Sequence, residues 1–530
     1  MKKRIISMLL SITALLVFAG CQSRTPVQKE SGISVGESVA FASYDPIGIM
    51  DGQGFMHYSP LVYETLIAYE NGEAKPGLAE SWENNGTDWT FHLKKDIKFT
   101  DGSAFNAEAV KLNIEKLQEF VGDYFAYYGA VSRIVRVEAI DESTVRFVYD
   151  APYYAVLQEL CAPCFGMLSP VLFEDGNNPY GTMLNDTAGT GPYELKAENA
   201  EAGQSYTFTK NKAWNGVPAG PDSFTVKIIP DADSRILALQ SGEIDLLFGA
   251  YQITYDMLGQ LEGDSAFKTL FSDHTYITRN ILLNASAPVL SDQKVRKAIK
   301  HGIDKDQIIN TILYGQEVKA DTLFTSQTPN CDVKLDPYEY NQEMAISLLK
   351  EAGWTEINEQ GIRVKNGQAL QLRAIYQSEK PLDEQILMGL KGQLKEIGIE
   401  LSIYGYETMT WFEKGMMGEF DLSVNDTYGF PQDPHVFLTA MLEDGLDKAS
   451  QQGLTQKDEI DSHISGMMQT ADASAIQEDY RYILTVLHEE AVNIPISYAR
   501  EMAVYNPEII SEIAFDDRPY TLDMTRVILK

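Results

Sequence analysis

A chain of 530 residues that is 44% hydrophobic and 22% charged has globular composition and more length than one simple core needs, so two or three domains are expected. Its 43 Lys and Arg stand against 76 Asp and Glu, a formal charge of −33 that repels nucleic acid and anionic lipid faces and excludes nucleic-acid binding. Four cysteines are too few for a disulfide scaffold.

Residues 1–20 read as an export signal, because Lys2, Lys3 and Arg4 precede an apolar run from Ile5 to Phe18 and the small pair Ala19-Gly20 leads into Cys21. The run is short and carries Ser7, Ser11 and Thr13, so a permanent membrane span is disfavoured. Ala19-Gly20-Cys21 is similar to the lipobox of bacterial lipoproteins, which implies a lipid on Cys21. Residues 21–32 are then a polar tether, and the expected location is extracytoplasmic, anchored to the cell membrane by that lipid.

Past the tether, Gly32–Gly36 spells GISVG and would make Ser34 a nucleophile. That elbow needs a strand before it and a helix after it, whereas a tether precedes it and ESVAFASYDP reads as more strand. A helix is expected over FNAEAVKLNIEKL, with Val110, Ile114 and Leu117 on one face. Alternation predicts strands at Val145, Phe147 and Tyr149 and at Tyr206 and Phe208. Met344, Leu348 and Ala352 form a second helical stripe that stops at Gly353, and Ile386, Leu390, Leu394 and Ile397 form a third. The class is mixed α/β, with no long linker and no internal repeat.

Chemistry is sparse along this path. Gly189 to Gly191 runs into Pro192, unlike a phosphate-cradling helix start, and no Walker loop or H-E-x-x-H exists. The seven histidines, at 57, 92, 274, 301, 435, 463 and 488, never pair at metal-ligand spacing. Cys161 and Cys164 have C-x-x-C spacing, which leaves a thiol redox or metallochaperone centre, a local disulfide or inert wall, and a ligand-contacting pair as open readings. An enzyme is not expected, and neither is a resident cofactor.

The segment from Leu61 to Leu117 closely resembles the signature of family 5 solute-binding proteins, the dipeptide, oligopeptide and nickel receptors of ABC importers. The likeness continues through GTGPYEL (Gly189 to Leu195), NKAWNG (Asn211 to Gly216), IIPDADSRILALQSGEIDLLFG (Ile228 to Gly249), VRKAIKHGIDKDQII (Val295 to Ile309) and LLKEAGW (Leu348 to Trp354). Segments such as TYGFPQDPHVFL and EEAVNIPISYAREMAVYNPEI look most like the nickel-type branch.

The resemblance implies a two-lobed periplasmic-binding-protein-like fold of type II, cluster C, hinged about a cleft and carrying an extra inserted domain. Domain I would comprise 33–69, 189–278 and 500–530, domain II 70–187, and domain III, the second lobe, 279–499. Gly189 and Gly191 would serve a tight turn, and Pro230 to Arg235 a helix start. The implied partners are a small-molecule ligand and membrane permease subunits with cytoplasmic ATPases, served by a monomer.

The nickel receptors hold metal as a small organic chelate between aromatics, a methionine and arginines. Carried over, the likeness places Met56 at the pocket methionine, with His57 beside it, Tyr127 and Tyr428 at pocket tryptophans, Phe412 at a tyrosine and Tyr520 near a threonine contact. Gln432 precedes the DPH motif, to which His435 belongs, near the expected site. A basic pocket position corresponds to Tyr124, and the stretch that supplies the other arginine reads APCFGMLSP here, with Cys161 and Cys164 as soft replacements. With both arginines gone, a strongly anionic chelate is disfavoured, because its buried charge would be unpaired. The expected ligand is nickel or a related transition metal as a small chelate, with Cys161, Cys164 and His435 as possible metal contacts, and a short peptide as the alternative.

Overall fold

Period-two patterning selects the buried face of each sheet. Val145, Phe147 and Tyr149 in strand Thr144–Tyr149, and Tyr206 and Phe208 in strand Ser205–Lys210, are all buried. The helical stripes behave the same way. Val110, Ile114 and Leu117 of helix Ala107–Val121 and Ile386, Leu390 and Leu394 of helix Pro381–Glu396 face the interior.

The helix with the Met344 stripe, Gln342–Glu351, departs from expectation by one position. Met344 is exposed, and Ala345, Leu349 and Ala352 are the buried face instead. This helix lies along helix Gln293–His301, and the small side chain of Ala345 allows the close approach that a longer residue would prevent.

The computed structural model describes residues 32–47, 54–70, 73–121, 129–216, 220–249, 251–261, 263–429, 434–516, 518 and 520–530. Among them, one sheet of eleven strands dominates. Its order runs Glu400–Tyr406, Gln371–Gln377, Leu422–Val424, Lys268–Leu283, Asn493–Tyr505, Leu246–Phe248, Ile33–Glu37, Ser223–Ile228, Ser205–Lys210 and Tyr193–Glu201, with Val318–Lys319 paired off this path to Asn493–Tyr505. The first three strands form one parallel group, and Leu246–Phe248, Ile33–Glu37 and Ser223–Ile228 form another.

Two long antiparallel strands, Lys268–Leu283 and Asn493–Tyr505, join these groups. Their register shifts three times, after Phe271, after Thr275 and after Arg279. Such irregularities bend and twist a ladder locally, which suits a junction between two bodies.

A core rich in aromatics gathers residues from the Ile33 side of the junction, including Phe208 stacked on Phe224 at 4.8 Å and Phe41 on Tyr206 at 4.0 Å. The core beyond the junction is largely aliphatic, built on Leu387, Leu390, Leu394, Ile299 and Leu349. A third cluster lies beneath helices Lys457–Met467 and Ala473–Glu489. A separate four-stranded sheet, Ala79–Asn85, Asp88–Leu93, Thr144–Tyr149 and Ile134–Asp141, carries helix Ala107–Val121.

Two sequence expectations change in this frame. Ser34 lies within strand Ile33–Glu37, but the chain turns at Glu37 instead of continuing as strand, because the Glu37 carboxylate accepts from the amides of Ser38 at 2.7 Å and Val39 at 3.4 Å. Gly189 and Gly191 serve close backbone approach: a Cβ would fall 2.0 Å from Val62 O at the first and 2.5 Å from Leu61 O at the second. Helix Ala232–Ser241 starts as expected, with Asp231 accepting from Ser234 N. Among the described residues no helix is long and apolar enough to cross a membrane.

Candidate functional site

A pocket opens where the long strands cross between the two groups. Lys268–Leu283 contributes Thr275, Ile277 and Thr278, and Asn493–Tyr505 contributes Tyr498. Two loops complete it, one with Phe324, Thr325 and Thr328, the other with Thr427, Tyr428, Gly429 and Pro434. It encloses about 380 Å³ of empty space, open solvent at its mouth included.

The second loop is held in place by its own backbone. Thr427 N donates to Thr278 O at 3.0 Å and Thr278 N to Thr427 Oγ1 at 2.8 Å, and Asn425 N donates to Asn280 O at 2.9 Å, so the loop continues the sheet ladder. Tyr428 Oη donates to Asp447 Oδ2 at 2.7 Å. Burial pushes the Asp447 carboxyl up to about 7, although Tyr428 and Asn425 donate to it. Its described wall is neutral, with five threonines and two tyrosines offering hydroxyls and no charged side chain among the described lining residues. Such a surface recognises a solute through hydrogen bonds and apolar contact.

Behind this wall the same crossing holds a buried ionic cluster. Arg279, 2% exposed, donates through Nε to both Glu317 oxygens at 2.8 and 2.9 Å, and its Nη1 lies 3.9 Å from Asp426 Oδ2. Tyr251 donates to Asp426 at 2.7 Å and Tyr255 to Glu317 at 2.7 Å. Asp383 sits in the same field, and burial followed by repulsion from Asp426 pushes it up to about 7. Asp383 Oδ1 and both Nη atoms of Arg279 are buried without hydrogen-bond partners.

Several expected site residues meet around these features. Tyr520 adopts a left-handed φ of +60° and stacks on Tyr251 at 6.1 Å, which ties it to the Arg279 cluster. His435, adjoining Pro434 of the pocket, turns its Nε2 to Glu159 Oε1 at 2.6 Å, with both groups fully buried. Tyr153 Oη and Ala130 N also donate to Glu159. Nearby, Tyr154 Oη and Tyr480 Oη are 2.9 Å apart.

Met56 and His57 belong to a buried turn, Gly54–His57. His57 Nδ1 lies 2.7 Å from Glu37 Oε2, and Gln252 Nε2 donates to Glu37 Oε1 at 2.6 Å. Burial opposes ionisation of Glu37, but the imidazole and these donors hold its carboxyl below the usual range.

Cys161 and Cys164 are buried in the aromatic-rich core. Cys161 Sγ donates to the Leu157 and Gln158 carbonyls at 3.1 and 3.0 Å, and neither thiol is in a disulfide. Phe412 is exposed on helix Thr408–Met416. Among the described residues, no group of three or more His, Cys, Asp or Glu is arranged to hold a metal ion. Cys21, Tyr124, Tyr127 and Gln432 lie outside the described residues.

Sequence reasoning missed Arg279, Glu317, Asp426, Asp383 and Glu159. Their partners are far along the chain, 38 residues for Arg279 and Glu317 and 276 for Glu159 and His435, and no local pattern signals such pairs.

Residues 73–448 match the model of the bacterial extracellular solute-binding proteins, family 5 Middle. A nickel-binding periplasmic protein of Escherichia coli K12 is 32% identical over 460 residues, 86% of this chain and 87% of that one. The structure of NikA from Brucella suis in complex with Fe(III)-EDTA superimposes with a TM-score of 0.88 at 32% identity, over 94% of this chain and all of that one. A probable D,D-dipeptide-binding periplasmic protein of Escherichia coli K12 is 23% identical over 96% of both chains. The chain belongs to the bacterial extracellular solute-binding proteins, family 5, two-lobed α/β receptors that serve ABC importers and are not enzymes.

Proposed function

We propose that this receptor captures a transition metal, nickel foremost, as a small neutral or cationic chelate and delivers it to its permease. The hydroxyl-lined pocket is the observation that carries the ligand's charge: a polyanionic chelate would find no cation among its described lining residues, whereas a neutral one meets hydroxyl donors and acceptors. The nickel-binding relative at 32% identity supports the metal.

In this reading the junction strands act as the hinge, with the domain limits expected above, and closure sets the form that the permease recognises. A lipid on Cys21 would keep the receptor at the membrane surface. Native mass spectrometry tests the ligand: protein incubated with Ni, Zn, Cu or Co, with and without histidine, is compared with protein given a peptide pool. Retention of a metal–histidine complex is expected. Retention of peptides with no metal would transfer the function to peptide capture.

A further inference from the structure

Helix His435–Thr439 stands where two of the cores meet. Its Val436 belongs to the aromatic-rich core on the Ile33 side, whereas Phe437 and Leu438 belong to the cluster beneath helices Lys457–Met467 and Ala473–Glu489. Tyr154, Tyr428 and Met468 pack against both. Apolar contact of this kind is non-directional and does not by itself fix how two bodies align.

Two polar bridges cross the same seam, and they are directional. Glu159 ends helix Val156–Glu159 among Ala155, Val156 and Leu160 of the Ile33-side core, and its Oε1 lies 2.6 Å from Nε2 of His435, 276 residues along the chain. Tyr154 Oη meets Tyr480 Oη of helix Ala473–Glu489 at 2.9 Å, across 326 residues. The Tyr154 ring also meets the His435 imidazole, with centroids 5.8 Å apart, so the two bridges form one patch.

Glu159 is held ready from its own side, because Tyr153 Oη and Ala130 N, both of the Ile33-side core, donate to it. A carboxylate and an imidazole buried together gain little net stability, since taking both out of water offsets their attraction. What the pair does supply is alignment. A contact of 2.6 Å is met at one setting of the two bodies and is lost when they part, whereupon water solvates both groups.

This patch adjoins the solute pocket. Pro434 lines the pocket and directly precedes His435, and Tyr428, another lining residue, is one of those packed against both cores. Seating His435 on Glu159 therefore seats that wall.

We propose that Glu159 and His435, supported by Tyr154 and Tyr480, are positioning residues that latch the two bodies together over the pocket and set how long a captured solute stays. The latch presupposes the hinge reading of the junction strands and holds for any captured solute.

Spin labels on Val135→Cys and Ala475→Cys, exposed on the two bodies, report their separation by pulsed electron resonance in the full chain, with and without nickel–histidine. The unaltered latch is expected to give a short and a long separation, with the short one favoured by nickel–histidine. His435→Leu is expected to lower the ratio of short to long by about tenfold, and Tyr154→Phe combined with Tyr480→Phe by about threefold with the melting temperature unchanged. Nickel–histidine dissociation in stopped flow is expected to quicken by the same factors while association stays constant. The tyrosine pair keeps both rings and decides the matter if the histidine variant fails to fold. An unchanged ratio in the tyrosine pair, or a single separation in the unaltered latch under both conditions, would overturn the proposal. Failure of nickel–histidine to bind would instead count against the capture reading, and the ligand-free ratios would still decide the latch.

Discussion

Two buried ionic clusters, one on the Ile33 side of the sheet junction and one at the junction itself, are built on opposite terms. On the Ile33 side, Glu37 meets His57, Gln252, the Ser38 hydroxyl and the amides of Ser38 and Val39, so one carboxylate has five donors. At the junction, Arg279 faces Glu317 and Asp426 with Asp383 close by, and Asp383 Oδ1 and two guanidinium nitrogens have no partner. The first cluster is a fixed strut. The second concentrates charge that only its present arrangement balances, and it sits where the register slips.

Removing the central cation separates them most strongly. Arg279→Met leaves Glu317 and Asp426 buried with hydroxyl donors but without their counter-charge and is expected to lower stability by about 3–5 kcal/mol in chemical denaturation. His57→Phe removes one of five donors to Glu37 and is expected to lose less, about 1–3 kcal/mol. Equal losses would erase the contrast.

Protonation sharpens it further. The folded Asp383 carboxyl, at about 7, lies above its ordinary value of 3.8, so its contribution is full below that ordinary value and is lost as pH rises through 7. Asp383→Asn is therefore expected to raise the melting temperature at pH 8 and to change it little at pH 4. Asp447, also at about 7, titrates in the same window. Asp447→Asn is expected to flatten the remaining fall in stability between pH 4 and 8 by a smaller amount, because Tyr428 and Asn425 already donate to that carboxylate. A pH profile unchanged in both variants would contradict these assignments.

Much of the fold was legible because burial and periodicity are local properties. The stripe at Val110, Ile114 and Leu117 and the alternation at Val145, Phe147 and Tyr149 needed only neighbours in sequence. The stripe at Met344 was misread by one position, since apolar character alone cannot separate a large exposed residue from the small one that sets helix contact. ESVAF looked extended because its apolar alternation hid the turn that the Glu37 side chain makes.

The site was less legible. Tyr428, His435 and Tyr520 came from a family resemblance, and the structure puts each beside a partner that no spacing announces: Asp447, Glu159 and Tyr251. The C-x-x-C pair, the loudest local motif, lies in a core with its Cys161 thiol spent on helix carbonyls.

The central claim concerns the charge of the captured solute. Isothermal titration with nickel–histidine and with nickel–EDTA at matched concentrations addresses it most directly. The hydroxyl-lined pocket predicts tight binding of the first and at least a hundredfold weaker binding of the second. Equal or tighter binding of the anionic chelate would contradict the account.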